Sequence, residues 1–391
     1  MKRVLFFLPL LLIADDSWLA SIQQKELQIE RERAVVEAKK LRDSWINPIQ
    51  MSYRYQEGNQ FPNQLLKTFT ITLEQPLFKS GGIWAAILYA DATKIANVKS
   101  VDKKRRQLVF QAIALATQYK ILDLQIKKQQ LALKNAYLDI KIKREQYLHG
   151  ELDSTFLDNA IMKKNSAKLQ VINLEDQKRE VARNFAKISD TNIDNLKLPN
   201  FQLIKKEYYL SHNYDLTIAQ ASIQASKYNR WMQVARYLPT VSVFGSYNYQ
   251  SMQGSLYVPG YRYSDYFYTY GFAVSMPLFD INSLKNIEIA KLDYLKNRVG
   301  YAITQRDKEM EFAKVEDKLQ KLQERMALAD EDIALYKDLV KKTKDLVKAG
   351  EKTTYDLEIL QNSYKIRLLD KEIYQLQKQQ ILQNIYKEMH P

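Results

Sequence analysis

FTITLEQPLF, residues 69–78, and YGFAVSMPLF, residues 270–279, decide how this 391-residue chain folds. In each, apolar and polar positions alternate up to a Pro-Leu-Phe stop. Phe69, Ile71 and Leu73 oppose Thr70, Thr72 and Glu74; Tyr270, Phe272, Val274 and Met276 oppose Gly271, Ala273 and Ser275. A period of two gives a strand one apolar and one polar face. A second alternating stretch precedes each one. NPIQMSYRYQ (47–56) places Ile49, Met51, Tyr53 and Tyr55 on one face, and LPTVSVFGSYNYQ (238–250) does the same with Val241, Val243, Tyr247 and Tyr249.

These pairs lie about 200 positions apart, as do YLHGELDSTFLD (147–158) and VKAGEKTTYDLE (347–358), which align Gly150 with Gly350. Three matches in one order read as a tandem duplication, with a first repeat at 15–200 and a second at 201–391. The rest is helical. Ile83 to His149 contains neither Gly nor Pro, and Ile281 to Ala349 contains only Gly300. At 1.5 Å per residue each run extends about 100 Å, too long for a globule. Ile359, Ile366 and Ile373 recur every seventh residue, as do Leu369 and Leu376, which is a coiled-coil seam. Gly150 and Gly350 mark turnarounds, with Ser154 or Thr155 and Thr353 or Thr354 as caps of the returning helices. The expected fold is mainly α with a small β part. Strand pairs at 46–77 and 239–277 precede antiparallel helical hairpins at 80–189 and 281–389.

Composition excludes several classes. A mean hydropathy of −0.43 rules out a bundle of membrane helices. Lys2 and Arg3 followed by VLFFLPLLLIA (4–14) read as a secretory signal, residues 1–14, too short to span a bilayer as a helix. With no Cys, disulfides, thiolate metal sites and a lipid-modified Cys are excluded. His149, His212 and His390 are scattered, so no metal site or other cofactor is expected. The net charge of +14 is spread along helices and interleaved with acids, and does not point to nucleic acid. No phosphate loop or nucleophile elbow occurs, so the chain is not read as an enzyme.

Two homes fit the four strands: a sheet on helices, or strands facing lipid. Tyr247, Tyr249, Tyr266, Tyr268 and Tyr270 crowd one hairpin, and Tyr favours membrane interfaces. In lipid the sheet must close. Four strands are too few for a barrel, so several chains would share one; two would supply eight strands and three would supply twelve. The pattern leaves the copy number open.

With the two Pro-Leu-Phe turns, the two glycine tips and NYDLTIAQASIQASKYNRWMQVARYLPTVSVFGSY (213–247), the chain resembles the TolC-type outer-membrane efflux protein family over almost its whole length. The resemblance implies a homotrimer with a shared twelve-stranded transmembrane β-barrel and an α-barrel of helical hairpins reaching into the periplasm of a Gram-negative bacterium. It implies contact with outer-membrane lipid through Tyr53, Tyr55, Tyr247, Tyr249, Tyr266, Tyr268 and Tyr270. It also implies two partners, a periplasmic adaptor protein and an inner-membrane transporter. The expected function is export of small molecules. Two alternatives are an exit duct for type I protein secretion and, in another class, a periplasmic adaptor or structural coiled coil.

In this family the gate lies at the periplasmic tips, which here comprise Gly150, Phe156, Asp158, Gly350, Lys352, Asp356 and Ile359. Asp356 falls at the family's acidic position six residues after the second glycine, and Lys352 where the family carries a basic gating residue. Ile359 replaces a second aspartate, and Phe156 stands at the acidic position of the first tip. Asp356 implies an anionic ring, while Phe156 and Ile359 fit a hydrophobic constriction.

Overall fold

The computed structural model describes residues 16–58, 64–254 and 260–390. The expected export signal, residues 1–14, lies outside the described residues. The elements follow in the order α1 (Ser21–Arg42), β1 (Gln50–Gly58), β2 (Gln64–Phe78), α2 (Gly82–Leu148), α3 (Ser154–Ala186), α4 (Lys206–Ser211), α5 (Tyr214–Ala235), β3 (Thr240–Gln253), β4 (Arg262–Ser275), α6 (Ser283–Lys348) and α7 (Thr354–Tyr386). The fold is mainly α with a small β part, the class that the alternation and the Gly- and Pro-free runs specify.

The chain forms two compact units. One unites Glu30–Ser100 with Asp215–Thr304 and holds the sheet. All four strands pair antiparallel in the order β1-β2-β3-β4. Pro76 has no N–H to give, and the β2–β3 register slips between Pro76 and Phe78, where such a residue is tolerated. Gly271 lies opposite Phe244, and a Cβ there would stand 3.0 Å from the Phe244 ring. Only glycine lets that ring lie across the strand.

The other unit draws on residues 16–29, Val101–Tyr214 and residues 305–390. Its core joins Trp18 and Leu19 before α1, Phe110 and Ile113 of α2, Phe185 of α3, Phe201 and Tyr209, Phe312 of α6, and Leu382 and Met389 at the chain's end. Phe201 stacks obliquely between Phe110 and Tyr386, with ring centroids 5.7 and 5.0 Å away. Each such side chain contributes roughly 1.5–3 kcal/mol by leaving water, so this cluster anchors the helices. Lys308 is buried beside it, held by Glu311 at 2.8 Å and Glu388 at 3.0 Å, while the Tyr209 hydroxyl donates to Glu388 at 2.6 Å. Burial opposes the Lys308 charge, but the two carboxylates together raise its pKa.

Polar links set the order of the long helices in this unit. Lys178 of α3 pairs with Asp123 of α2 at 2.6 Å. Lys128 of α2 pairs with Asp370 of α7 at 2.5 Å. Arg367 and Lys371 of α7 reach Asp332 and Asp330 of α6 at 3.4 and 2.6 Å. Nearer the tips, Asn362 of α7 is buried and donates to Asn135 Oδ1 at 2.9 Å, and Asn135 Nδ2 donates to the Ile359 carbonyl at 3.3 Å. The helices therefore run side by side as α3-α2-α7-α6, with α3 and α6 at the two edges.

Candidate functional site

Three surfaces bear on function: the hairpin tips, the two faces of the sheet, and the edge helices. The tips share one geometry. Gly150 and Gly350 take φ of +74° and +77°, the left-handed conformation that ends a helix at small cost only for glycine. After Gly150, the Glu151 amide donates to the Gln146 carbonyl at 2.9 Å; after Gly350, the Glu351 amide donates to that of Leu346 at 3.0 Å. Each turn thereby satisfies carbonyls that the helix end leaves open.

The caps differ. On α7, Thr353 Oγ1 accepts from the Asp356 amide at 3.2 Å, and Asp356 Oδ2 accepts from the Thr353 amide at 3.0 Å, a capping box. On α3 the cap is Asp153 rather than Ser154 or Thr155: its Oδ1 accepts from the Thr155 amide at 3.0 Å and from the Ser154 hydroxyl at 3.0 Å. The physical reason is position. Ser154 is already the first helical residue, so the extended residue before it faces the open amides. Hydrogen bonds from the Thr155 amide and the Ser154 and Thr155 hydroxyls hold the Asp153 carboxyl below its usual pKa.

The expected gate residues divide between the two turns. Gly150, Phe156 and Asp158 are exposed on the first. On the second, Gly350 and Lys352 are exposed, whereas Asp356 and Ile359 are half-buried. Asp356 is committed to its cap, and the Ile359 backbone to Asn135. Two histidines that sequence distance separates come together elsewhere: the His212 and His390 ring centroids lie 5.4 Å apart, and His212 stacks on Tyr208. No group of three His, Asp or Glu suited to a metal ion occurs among the described residues.

The register of the sheet sorts its side chains into rows, because directly opposed residues share a face. One row is Tyr53, Phe69, Tyr249 and Tyr266; the next is Met51, Ile71, Tyr247 and Tyr268. Leu73, Gly245 and Tyr270 follow, then Gln75, Val243 and Phe272. Tyr55 lies in the row of Lys67, Ser251 and Ser264, where this face turns polar. Between these rows the other face carries Arg54, Thr68, Gln250 and Asp265, then Ser52, Thr70, Asn248 and Phe267. Among the described residues the apolar face has no cover: Tyr270 is 79% and Phe272 is 77% exposed. All seven expected aromatics thus lie on this one face.

The edge helices carry a signal that sequence reading missed. α3 exposes Met162, Leu169 and Ile172, and α6 exposes Leu328, Leu335 and Leu339. Seven-residue spacing of Met162 with Leu169 and of Leu328 with Leu335 marks a seam on each helix. Charged neighbours dilute that spacing in the sequence. Among the described residues, no helix is long and apolar enough to cross a membrane.

Residues 207–389 match the family model described as outer membrane efflux protein. No curated protein matches the chain. Among solved structures, the outer membrane protein VceC of Vibrio cholerae is 15% identical with a TM-score of 0.74, covering 96% of this chain and 95% of that one. The CmeC outer membrane channel of Campylobacter jejuni is 16% identical with a TM-score of 0.71, covering 97% of this chain and 85% of that one. The open state of the MtrE outer membrane channel of Neisseria gonorrhoeae is 14% identical with a TM-score of 0.69, covering 96% of this chain and 87% of that one. At these identities the structures speak for the fold alone: long helical hairpins with a four-stranded antiparallel sheet. Residues 207–389 thus resemble the outer membrane efflux protein family, and the fold of the chain is that of these outer membrane channels.

Proposed function

We propose that the chain is one subunit of a homotrimeric channel-tunnel that exports small molecules across the periplasm and the outer membrane. The observation that carries this reading is the sheet. Its register gathers most of the apolar and aromatic residues on one face, and among the described residues that face is uncovered and the edge strands β1 and β4 find no outer partner. Such a sheet is unstable alone, in lipid above all, because unpaired backbone groups there cost several kcal/mol each. Pairing β4 of one copy with β1 of the next satisfies both edges, and three copies give the twelve strands of a barrel wide enough to conduct.

The helical layer supports the same closure. Its edges α3 and α6 expose apolar seams, and a head-to-tail contact of α6 with α3 of the next copy closes a ring. In this reading residues 1–14 are the export signal, and 15–200 and 201–391 are two repeats of one unit. The tyrosine rows face outer-membrane lipid, and the polar face lines the lumen. Gly150, Phe156, Asp158, Gly350, Lys352, Asp356 and Ile359 form the periplasmic gate. A passive duct needs an energy source, so an inner-membrane transporter and a periplasmic adaptor are its partners.

The test is negative-stain electron microscopy of the detergent-extracted protein, with the mass determined on the same fraction. Long cylinders with three-fold end views at the mass of a trimer support the reading. Monomers, or rods without end-on rings, overturn it.

A further inference from the structure

The excess of positive charge has a place in the structure that channel formation alone does not explain. Between α6 and α7 runs an open groove of about 480 Å³, the size range of a site for a drug-sized solute. Lys318, Lys321 and Arg325 line its α6 side, Gln377 and Asn384 its α7 side, and Leu322 and Ile381 its floor. Leu322 is buried and Ile381 packs on the core, so the floor is apolar and firmly set.

The cations are unspent. Lys318, Lys321 and Arg325, with Lys314 one turn earlier, recur at spacings of three and four residues along one face of α6. All four are exposed, and none takes part in an ion pair among the described residues. Two nearby carboxylates are committed elsewhere: Glu311 and Glu388 hold Lys308 at 2.8 and 3.0 Å, and Glu388 also accepts from Tyr209. The groove also lies on a defined side of the helical layer. Leu382 and Met389 of the chain's end belong to the core with Trp18, Phe201 and Tyr209. Gln380 and Asn384 of α7 each stand two residues from Leu382, on the opposite side of the helix. The groove therefore opens away from the segments that pack over the core, the side that faces the lumen if the layer closes into a tube.

We infer that this groove is a binding station for organic anions that carry an apolar body, placed in the conduction path. Cations meet the charged head, the amides of Gln377 and Asn384 hydrogen-bond it, and Leu322 and Ile381 receive the apolar part. The position in the path rests on the channel reading; the binding chemistry does not.

Equilibrium binding of naphthalene-2-sulfonate to the purified full chain in non-ionic detergent tests the chemistry. The triple variant Lys318→Gln/Lys321→Gln/Arg325→Gln should raise its Kd at least roughly tenfold, while Lys337→Gln/Lys341→Gln/Lys344→Gln, further along α6, leaves it unchanged. Inorganic sulfate alone should bind more weakly, because it cannot use the floor. Equal Kd values for wild type and the first variant overturn the site. In planar bilayers, naphthalene-2-sulfonate should block wild-type current and block the first variant at least roughly tenfold less well. Binding without block overturns placement in the path. A protein that forms no pore but binds the probe refutes the channel reading and leaves the binding chemistry standing.

Discussion

Thr353 and Asp356 close on each other, hydroxyl to amide at 3.2 Å and carboxylate to amide at 3.0 Å, at the point where α7 leaves its tip. The carboxylate proposed for the entrance ring is thus also half of a helix cap. The two roles separate experimentally. Thr353→Ala should cost about 0.5–2 kcal/mol of stability while leaving the charge, so cation selectivity in bilayers persists. Asp356→Asn should lower cation selectivity with a smaller loss of melting temperature. If selectivity follows Thr353→Ala instead, the ring assignment fails and the cap alone matters.

The left-handed turn at Gly350 meets no other atom within 4 Å of where a Cβ would stand, so a substitution there is felt by the backbone alone. Gly350→Ala should destabilise by about 1–2 kcal/mol, and Gly350→Asn by less, since Asn tolerates this conformation. Thermal unfolding of both variants measures the difference. Equal losses would mean that the tip relaxes into another turn.

The proposed closure of the ring predicts specific neighbours. Leu339 and Met162 both stand roughly a dozen residues from their tip glycines, which puts them at one height along antiparallel helices. Leu328 and Ile172 are matched in the same way, further from the tips. Because the chain has no cysteine, Leu339→Cys/Met162→Cys should form disulfide-linked dimers and trimers under mild oxidation. Leu339→Cys/Ile172→Cys, mismatched in height, should not. Linkage in both, or in neither, would reject this packing.

The clasp between α2 and α3 should respond to acid. Burial pushes the Asp123 carboxyl up, but hydrogen bonds and charges from Lys127 and Lys178 together hold its pKa below the ordinary value. Lys178 also faces Tyr119, whose hydroxyl donates to Asp194 at 2.9 Å. A depressed folded pKa means stabilisation that is complete above the ordinary carboxylate value of about 3.9 and disappears as pH falls through the folded value. Melting temperatures of wild type and Asp123→Asn should therefore differ at neutral pH and converge once pH has fallen through the folded value. A constant gap down to that pH would show that the Asp123 charge is not what holds α3.

The strands and long helices were legible because each rests on local periodicity: Phe69 to Phe78 alternates, and Ile83 to His149 contains no breaker. Register was less so. That Tyr53, Phe69, Tyr249 and Tyr266 form one row depends on pairing across nearly the whole chain, although their parity placed each on an apolar face. The order α3-α2-α7-α6 had no local signal at all, since Lys128 finds Asp370 and Lys178 finds Asp123 only after folding. At the tips, glycine spacing located both turns, but the cap of α3 fell to Asp153, one residue earlier than the hydroxyls had pointed. The basic face of Lys314 to Arg325 went unread in the sequence, because its apolar floor comes from two helices about 60 residues apart.

The unpaired borders of the sheet bear on how the protein matures. β1 spans 9 residues and β4 spans 14, and among the described residues neither has a partner on its outer side; in the proposed assembly those backbone donors and acceptors stay open until another copy arrives. A newly made chain is therefore adhesive along both flanks, toward its proper sibling and toward any other extended strand. Its maturation is a race of encounter against aggregation, decided by how fast siblings meet. Overproduction without matching delivery to the envelope should fill the cell with misjoined sheets rather than with more channels.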